Sequence, residues 1–153
     1  MTEAKTLLLG LLGVIPDGDK CAALFAEDGF LELPFLHAVG IRHVGRTAIK
    51  GFFNFAGVKL YRDFVFKPKD ITVLIETPDQ AFAEYTTHNQ AGITGRVIHH
   101  LFAGRLVAEQ RNIKLLRESL NTLAAAQAFD PHGAADVPPP GGEIFSDPPA
   151  YVS

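Results

Sequence analysis

Tryptophan is absent from the 153-residue chain, and cysteine occurs once, at Cys21. A single cysteine excludes an intramolecular disulfide framework and a cysteine-rich metal site. It also favours a reducing compartment, so the cytoplasm is the expected location. No cluster of Lys or Arg occurs in a chain whose net charge is -3, so the basic footprint that phosphate backbones require is missing and no nucleic-acid partner is expected. Long apolar runs are lacking too. Leu7 to Ile15 is too short to span a bilayer and carries only Lys5 as positive charge ahead of it. Pro16-Asp17-Gly18-Asp19-Lys20 then offers no small-residue cleavage site, so the run reads as a buried helix with no membrane role. No glycine-rich phosphate loop precedes a helix, no Ser or Cys nucleophile motif is present, and no histidine pair has the helical spacing of a zinc motif. Neither a cofactor nor a metal is expected.

What is present is apolar bulk: twelve Phe in a chain that is 47% hydrophobic, enough to build one core and line a pocket. Thr2 caps a first helix that runs to about Val14, and Pro16-Asp17-Gly18 breaks it. Asp17 or Asp19 caps a second, with Cys21, Leu24 and Phe25 as its buried stripe and Asp28-Gly29 as its stop. Phe30 to Leu33 is a short strand ended by Pro34. The loop Phe35 to Val44, which carries Phe35, His37, Arg42 and His43, suits a pocket rim. Gly45 opens a third helix whose Ala48, Ile49, Phe52, Phe53 and Ala56 share one face, and Gly57 ends it.

Strand formers then take over in Phe64 to Thr77, Ala81 to Asn89, Gly95 to Gln110 and Asn112 to Leu120, joined by hairpin-length turns. Asn121 caps a last short helix through Ala128. Helices first and a meander after predict an α+β architecture: a cone-shaped, curved antiparallel or mixed sheet with three N-terminal helices on its concave face and a short C-terminal helix. Residues 1–129 form this unit. Residues 130–153, with Pro138-Pro139-Pro140-Gly141-Gly142 and Pro148-Pro149, form an extended tail without helix or strand of its own, either free or docked through Ile144, Phe145 and Tyr151.

Thr94 to Phe129 carries the best chemistry. Alternation puts His99 and His100 on opposite faces, His100 inward, and puts Glu118 on one face with Leu116 and Leu120. A carboxyl among leucines has a raised pKa and suits a general acid or base, unless it is neutralised by Arg96 or Arg105. Glu84, which shares a face with Phe82, Thr86 and His88, is its rival. Phe35, His37, Phe53, Tyr85, Phe102 and Leu33 complete the candidate binding set, with His43 as a further loop residue.

Leu24-Phe25-Ala26-Glu27-Asp28-Gly29-Phe30, Glu32-Leu33-Pro34-Phe35 and Gly45-Arg46-Thr47-Ala48-Ile49 with Phe52-Phe53 resemble the opening of SnoaL-like proteins of the ketosteroid-isomerase and nuclear-transport-factor-2-like superfamily. Gly95-Arg96, His100 with Phe102, Arg117-Glu118 with Asn121, and Ala128-Phe129 resemble its close. Lys114 to Phe129 is most similar to the phenazine-biosynthesis A/B proteins, whose catalytic glutamate Glu118 matches in position. The steroid-isomerase base and oxyanion hole do not carry over, because the corresponding positions are Leu33, near Leu11 and about Ala103.

The resemblance implies a cofactor-independent acid/base enzyme of isomerase, cyclase or dehydratase type. It would act on a small hydrophobic cyclic or aromatic metabolite, with Glu118 and His100 as catalytic pair and a homodimer formed through the outer sheet face. The other expectation is a non-catalytic protein of the same fold that binds a hydrophobic ligand or assembles as a dimer.

Overall fold

The computed structural model describes residues 1–36 and 40–137. The chain opens with α1 (Glu3–Val14) and α2 (Gly18–Leu24). Thr2 Oγ1 accepts from the Lys5 N–H at 3.3 Å and an Asp17 carboxylate oxygen from the Lys20 N–H at 3.1 Å, so Asp17 is the second cap. The second helix stops before its apolar stripe does. Phe25 is already extended (φ -84°, ψ 152°) and begins β1 (Phe25–Leu33), whose irregularity between Phe25 and Phe30 absorbs Asp28-Gly29 inside the strand.

The loop expected over Phe35 to Val44 also holds a strand, β2 (Ile41–Val44), antiparallel to β1 with Leu31 opposite His43. Next, α3 (Arg46–Phe55) buries Ile49 and Phe53 and does not end at Gly57. It continues as a π-helical turn (Ala56–Leu60) into β3 (Tyr61–Arg62). Phe64 to Thr77 is not one strand. Pro68, which has no N–H to give a ladder, starts a 3-10 turn (Pro68–Asp70), and β4 (Ile71–Glu76) follows.

The meander is β5 (Gln80–Ala91), β6 (Val97–Glu109) and β7 (Asn112–Leu120), closed by α4 (Thr122–Phe129) with Asn121 as its cap. A 3-10 turn (Gly133–Asp136) packs beside α4, which corrects the expectation that the chain beyond Phe129 has no helix of its own. The stretch 138–153, with Ile144, Phe145 and Tyr151, lies outside the described residues, as does His37.

The seven strands of the described residues form one curved, unclosed mixed sheet in the order β2-β1-β7-β6-β5-β3, with β4 also on β5. Among the described residues only the β1–β7 pairing is parallel. Leu8, Leu11 and Leu12 of α1 join Phe25, Ile49, Phe53, Tyr85, Leu106, Ile113 and Leu116 in one core.

One detail of the β6–β7 hairpin sets the site. Gln110 (φ 50°) and Arg111 (φ 64°) supply the two positive-φ residues that a tight two-residue hairpin with right-handed twist uses. The ladder starts with Glu109 opposite Asn112 and Ala108 opposite Ile113, then slips by one residue, so that Val107 faces Leu115 and Gly104 faces Glu118. Without that slip Gly104 would face Arg117, and Glu118 would point out of the sheet with Ala103, because a one-residue shift exchanges the faces.

Candidate active site

A cavity of about 890 Å³ lies between the inner sheet face, α3 and α4. Its wall is largely apolar: Leu33 and Ile41 from β1 and β2, Phe52 and Phe53 from α3, Phe64 and Phe66 from the following loop, Phe102 and Leu120 from β6 and β7, and Ala125 and Phe129 from α4. The amphipathic pattern of α3 explains its share. Ile49 and Phe53 turn into the core while Ala48, Phe52 and Phe53 reach the cavity.

Glu118 brings a carboxyl into this wall, and its remaining exposed surface faces the cavity. The Tyr85 hydroxyl donates to its Oε2. Tyr85 stands opposite Phe102, one row from Glu118, and its ring passes over Gly104, where any Cβ would clash with the hydroxyl. Gly104 is therefore the gap through which β5 reaches β7. Desolvation raises the Glu118 pKa from 4.5 to about 7, and the Tyr85 hydrogen bond, which favours the carboxylate, opposes this only in part. Neither arginine neutralises it. Arg96 donates to the carbonyls of Gln127, Asp130 and Pro131, and Arg105 donates to Gln80 Oε1. A carboxyl half-protonated near neutrality, anchored on one side and open to an apolar cavity on the other, can give or take one proton.

Around it, Tyr61 lines the cavity, and burial together with the Glu118 charge raises its pKa. Its hydroxyl lies 3.2 Å from His100 Nδ1. His100 sits on the inner face and His99 on the outer, but His100 does not reach the cavity. It is packed among Tyr61, Phe102 and Phe129, its Nε2 is buried without a partner, and desolvation pushes its pKa down to about 4. It is neutral at physiological pH and sits behind Tyr61 rather than beside Glu118, so it does not form the expected pair.

The remaining candidates divide cleanly. Leu33, Phe53 and Phe102 line the cavity. Tyr85 does not: it is wholly buried, and it contacts Glu118 rather than the open space. Glu84 is exposed and opposite Ala103 on the outer face, because the inward residues of β5 are Ala83, Tyr85 and Thr87. Phe35 is 61% exposed and away from the wall.

Two further groups line the cavity. His43, a rim-loop histidine that the sequence leaves either touching a ligand or solvated, lies beside Phe52 at 5.0 Å between ring centres, and desolvation lowers its pKa. The β2 strand that turns it inward is only four residues long. Tyr61 follows a π-helical turn that no spacing rule anticipates. Among the described residues no group of three or more His, Cys, Asp or Glu is placed to hold a metal ion, and no helix is long and apolar enough to cross a membrane.

No family model matches the chain, and no curated protein matches its sequence. Solved structures do match. A phenazine biosynthesis-related protein from Pseudomonas aeruginosa aligns with a TM-score of 0.72 at 18% identity, over 95% of this chain and 93% of that one. A nuclear-transport-factor-2-like protein from Burkholderia xenovorans aligns with a TM-score of 0.69 at 16% identity, over 84% and 96%. An epoxide hydrolase of the LEH-like type from M. tuberculosis aligns with a TM-score of 0.61 at 14% identity, over 83% and 89%. The fold is therefore the nuclear-transport-factor-2-like, ketosteroid-isomerase-like one.

Proposed function

We propose that this chain is a cofactor-independent enzyme in which Glu118 transfers a proton to or from a small, mostly apolar cyclic or aromatic molecule, in an isomerisation, cyclisation or dehydration. The observation that carries this reading is the Glu118 carboxyl, raised to about 7 and held by Tyr85 at the wall of an apolar cavity. The size of the cavity falls within the range of small-molecule sites. A fold on which an epoxide hydrolase is also built is compatible with such chemistry.

One placed acid or base typically accelerates proton transfer about a hundred- to ten-thousandfold. The test is hydrogen–deuterium exchange at the carbon next to the carbonyl of cyclic ketones, followed by nuclear magnetic resonance in D2O. Wild-type protein should catalyse exchange for at least one ring in a graded panel, and Glu118→Gln should lose it by a factor in that range. Equal exchange by both proteins would overturn the assignment.

A second reading follows from the position of His100. With His100 walled off behind Tyr61, Glu118 lacks the partner expected for it, an arrangement that also serves a binding protein for hydrophobic ligands. Mass spectrometry of whatever co-purifies separates the two: an unchanged ligand after incubation favours carriage, a ligand and its isomer favours catalysis.

The outer sheet face exposes Val97 (66%) and Leu101 (51%) on one strand, and this supports a homodimer through that face. Sedimentation at micromolar concentration should give twice the chain mass. The lone buried thiol of Cys21 fits a cytoplasmic location.

A further inference from the structure

His88 and His99 stand directly opposite each other on β5 and β6, the two longest strands, and both are exposed on the outer sheet face, away from the cavity. Their rings meet edge to face, 4.3 Å between centres and 83° between planes, and their Nδ1 atoms are 2.5 Å apart. In the neutral pair one Nδ1 must carry the hydrogen while the other accepts it, so two ring nitrogens converge on one point. Two nitrogens held by one cation at about 2.0–2.1 Å and at a right angle lie about 2.9 Å apart, and about 3.4 Å apart at a tetrahedral angle. A small rotation of the two side chains reaches either spacing, and the ladder on both sides of the pair fixes the two Cα positions.

We propose that His88 and His99 form a chelating pair for a late first-row divalent cation, with Cu2+ held more tightly than Zn2+ as the usual ordering of these ions requires. On binding, the donor ring moves its hydrogen from Nδ1 to its other nitrogen, so the neutral pair takes up the cation without losing a proton overall. With no third His, Cys, Asp or Glu grouped there among the described residues, water or a second copy of the chain fills the remaining positions. The site is independent of Glu118, and its test involves no catalysis.

The experiment is a Cu2+ titration of the full chain by calorimetry, with electron paramagnetic resonance of the loaded protein, for wild type, His88→Ala, His99→Ala and His132→Ala. Both positions are exposed in the single chain and lie on the face proposed for the dimer, so circular dichroism checks that the variants fold and sedimentation that their assembly matches that of wild type. His132, exposed and bonded to Asp136, is the control for nonspecific histidine binding. Wild type should show one site per chain, or one per two chains, with a two-nitrogen signature. His88→Ala and His99→Ala should each weaken binding at least about tenfold and leave a one-nitrogen signature, while His132→Ala changes neither. Equal affinity in wild type and His99→Ala, or a signature unchanged by that substitution, would overturn the proposal.

Discussion

Replacing Glu118 by Gln should make the protein more stable, by an amount that depends on pH. The folded state holds this carboxyl at a pKa of about 7, raised by desolvation, whereas the ordinary value is 4.5. Between those values the folded chain keeps a proton that the unfolded chain has released, so stability falls as pH rises through that window, and the loss is complete above about 7. The gap corresponds to about 3 kcal/mol. Glutamine has nearly the same shape, keeps an oxygen that can accept from Tyr85, and cannot ionise. The stability advantage of Glu118→Gln over wild type should therefore grow by about 3 kcal/mol between pH 4 and pH 8.5. For a chain of this length that is roughly 6–12 °C in melting temperature. Urea unfolding of both proteins across the range measures it, and the comparison cancels every other titrating group. A difference that stays constant with pH would show that Glu118 is not desolvated in the folded state, and the acid/base argument would lose its basis.

Removing the Tyr85 hydroxyl (Tyr85→Phe) takes away a donor that favours the carboxylate, so the Glu118 pKa should rise above 7 and stability near pH 8 should fall by about 1–2 kcal/mol, read by carboxyl titration and urea unfolding. Gly104→Ala should push the Tyr85 ring off Glu118 and destabilise by about 1–3 kcal/mol, with the same upward movement of the Glu118 pKa. Phe53→Ala, which removes a buried ring shared by core and cavity, should cost about 3–5 kcal/mol in thermal or chemical unfolding. Glu84→Gln, on the exposed outer face, should leave both stability, within about 0.5 kcal/mol, and proton exchange unchanged.

Local pattern was a good guide where one period governed a segment. The caps at Thr2, Asp17 and Asn121, the apolar face of α3, and the shared face of Leu116, Glu118 and Leu120 all rest on contacts within a few residues. Pattern failed where a strand interrupted its own period. Phe25 continues the helical stripe of Cys21 and Leu24 and yet starts a strand, because its neighbour Ile113 on β7 lies far along the chain. The choice between Glu84 and Glu118 was open for the same reason. Alternation says which residues share a face, but only the slip at Lys114 and the pairing of β5 with β6 say which face holds the cavity. His100 shows a further limit. Its inward direction follows from the two-residue period, but the Tyr61 and Phe129 rings that wall it off come from distant segments. Phe35 misled in the opposite sense, since an aromatic in a rim loop need not turn inward.

Carbon-13 titration of the Glu118 carboxyl by nuclear magnetic resonance, assigned by its absence in Glu118→Gln, tests the central claim most directly. Desolvation beside the cavity, opposed in part by the Tyr85 hydrogen bond, predicts a midpoint near 7. A midpoint at the ordinary 4.5 would contradict the account, because a carboxyl fully ionised at neutrality and unmoved by its surroundings would not be the poised acid/base group that the proposed chemistry needs.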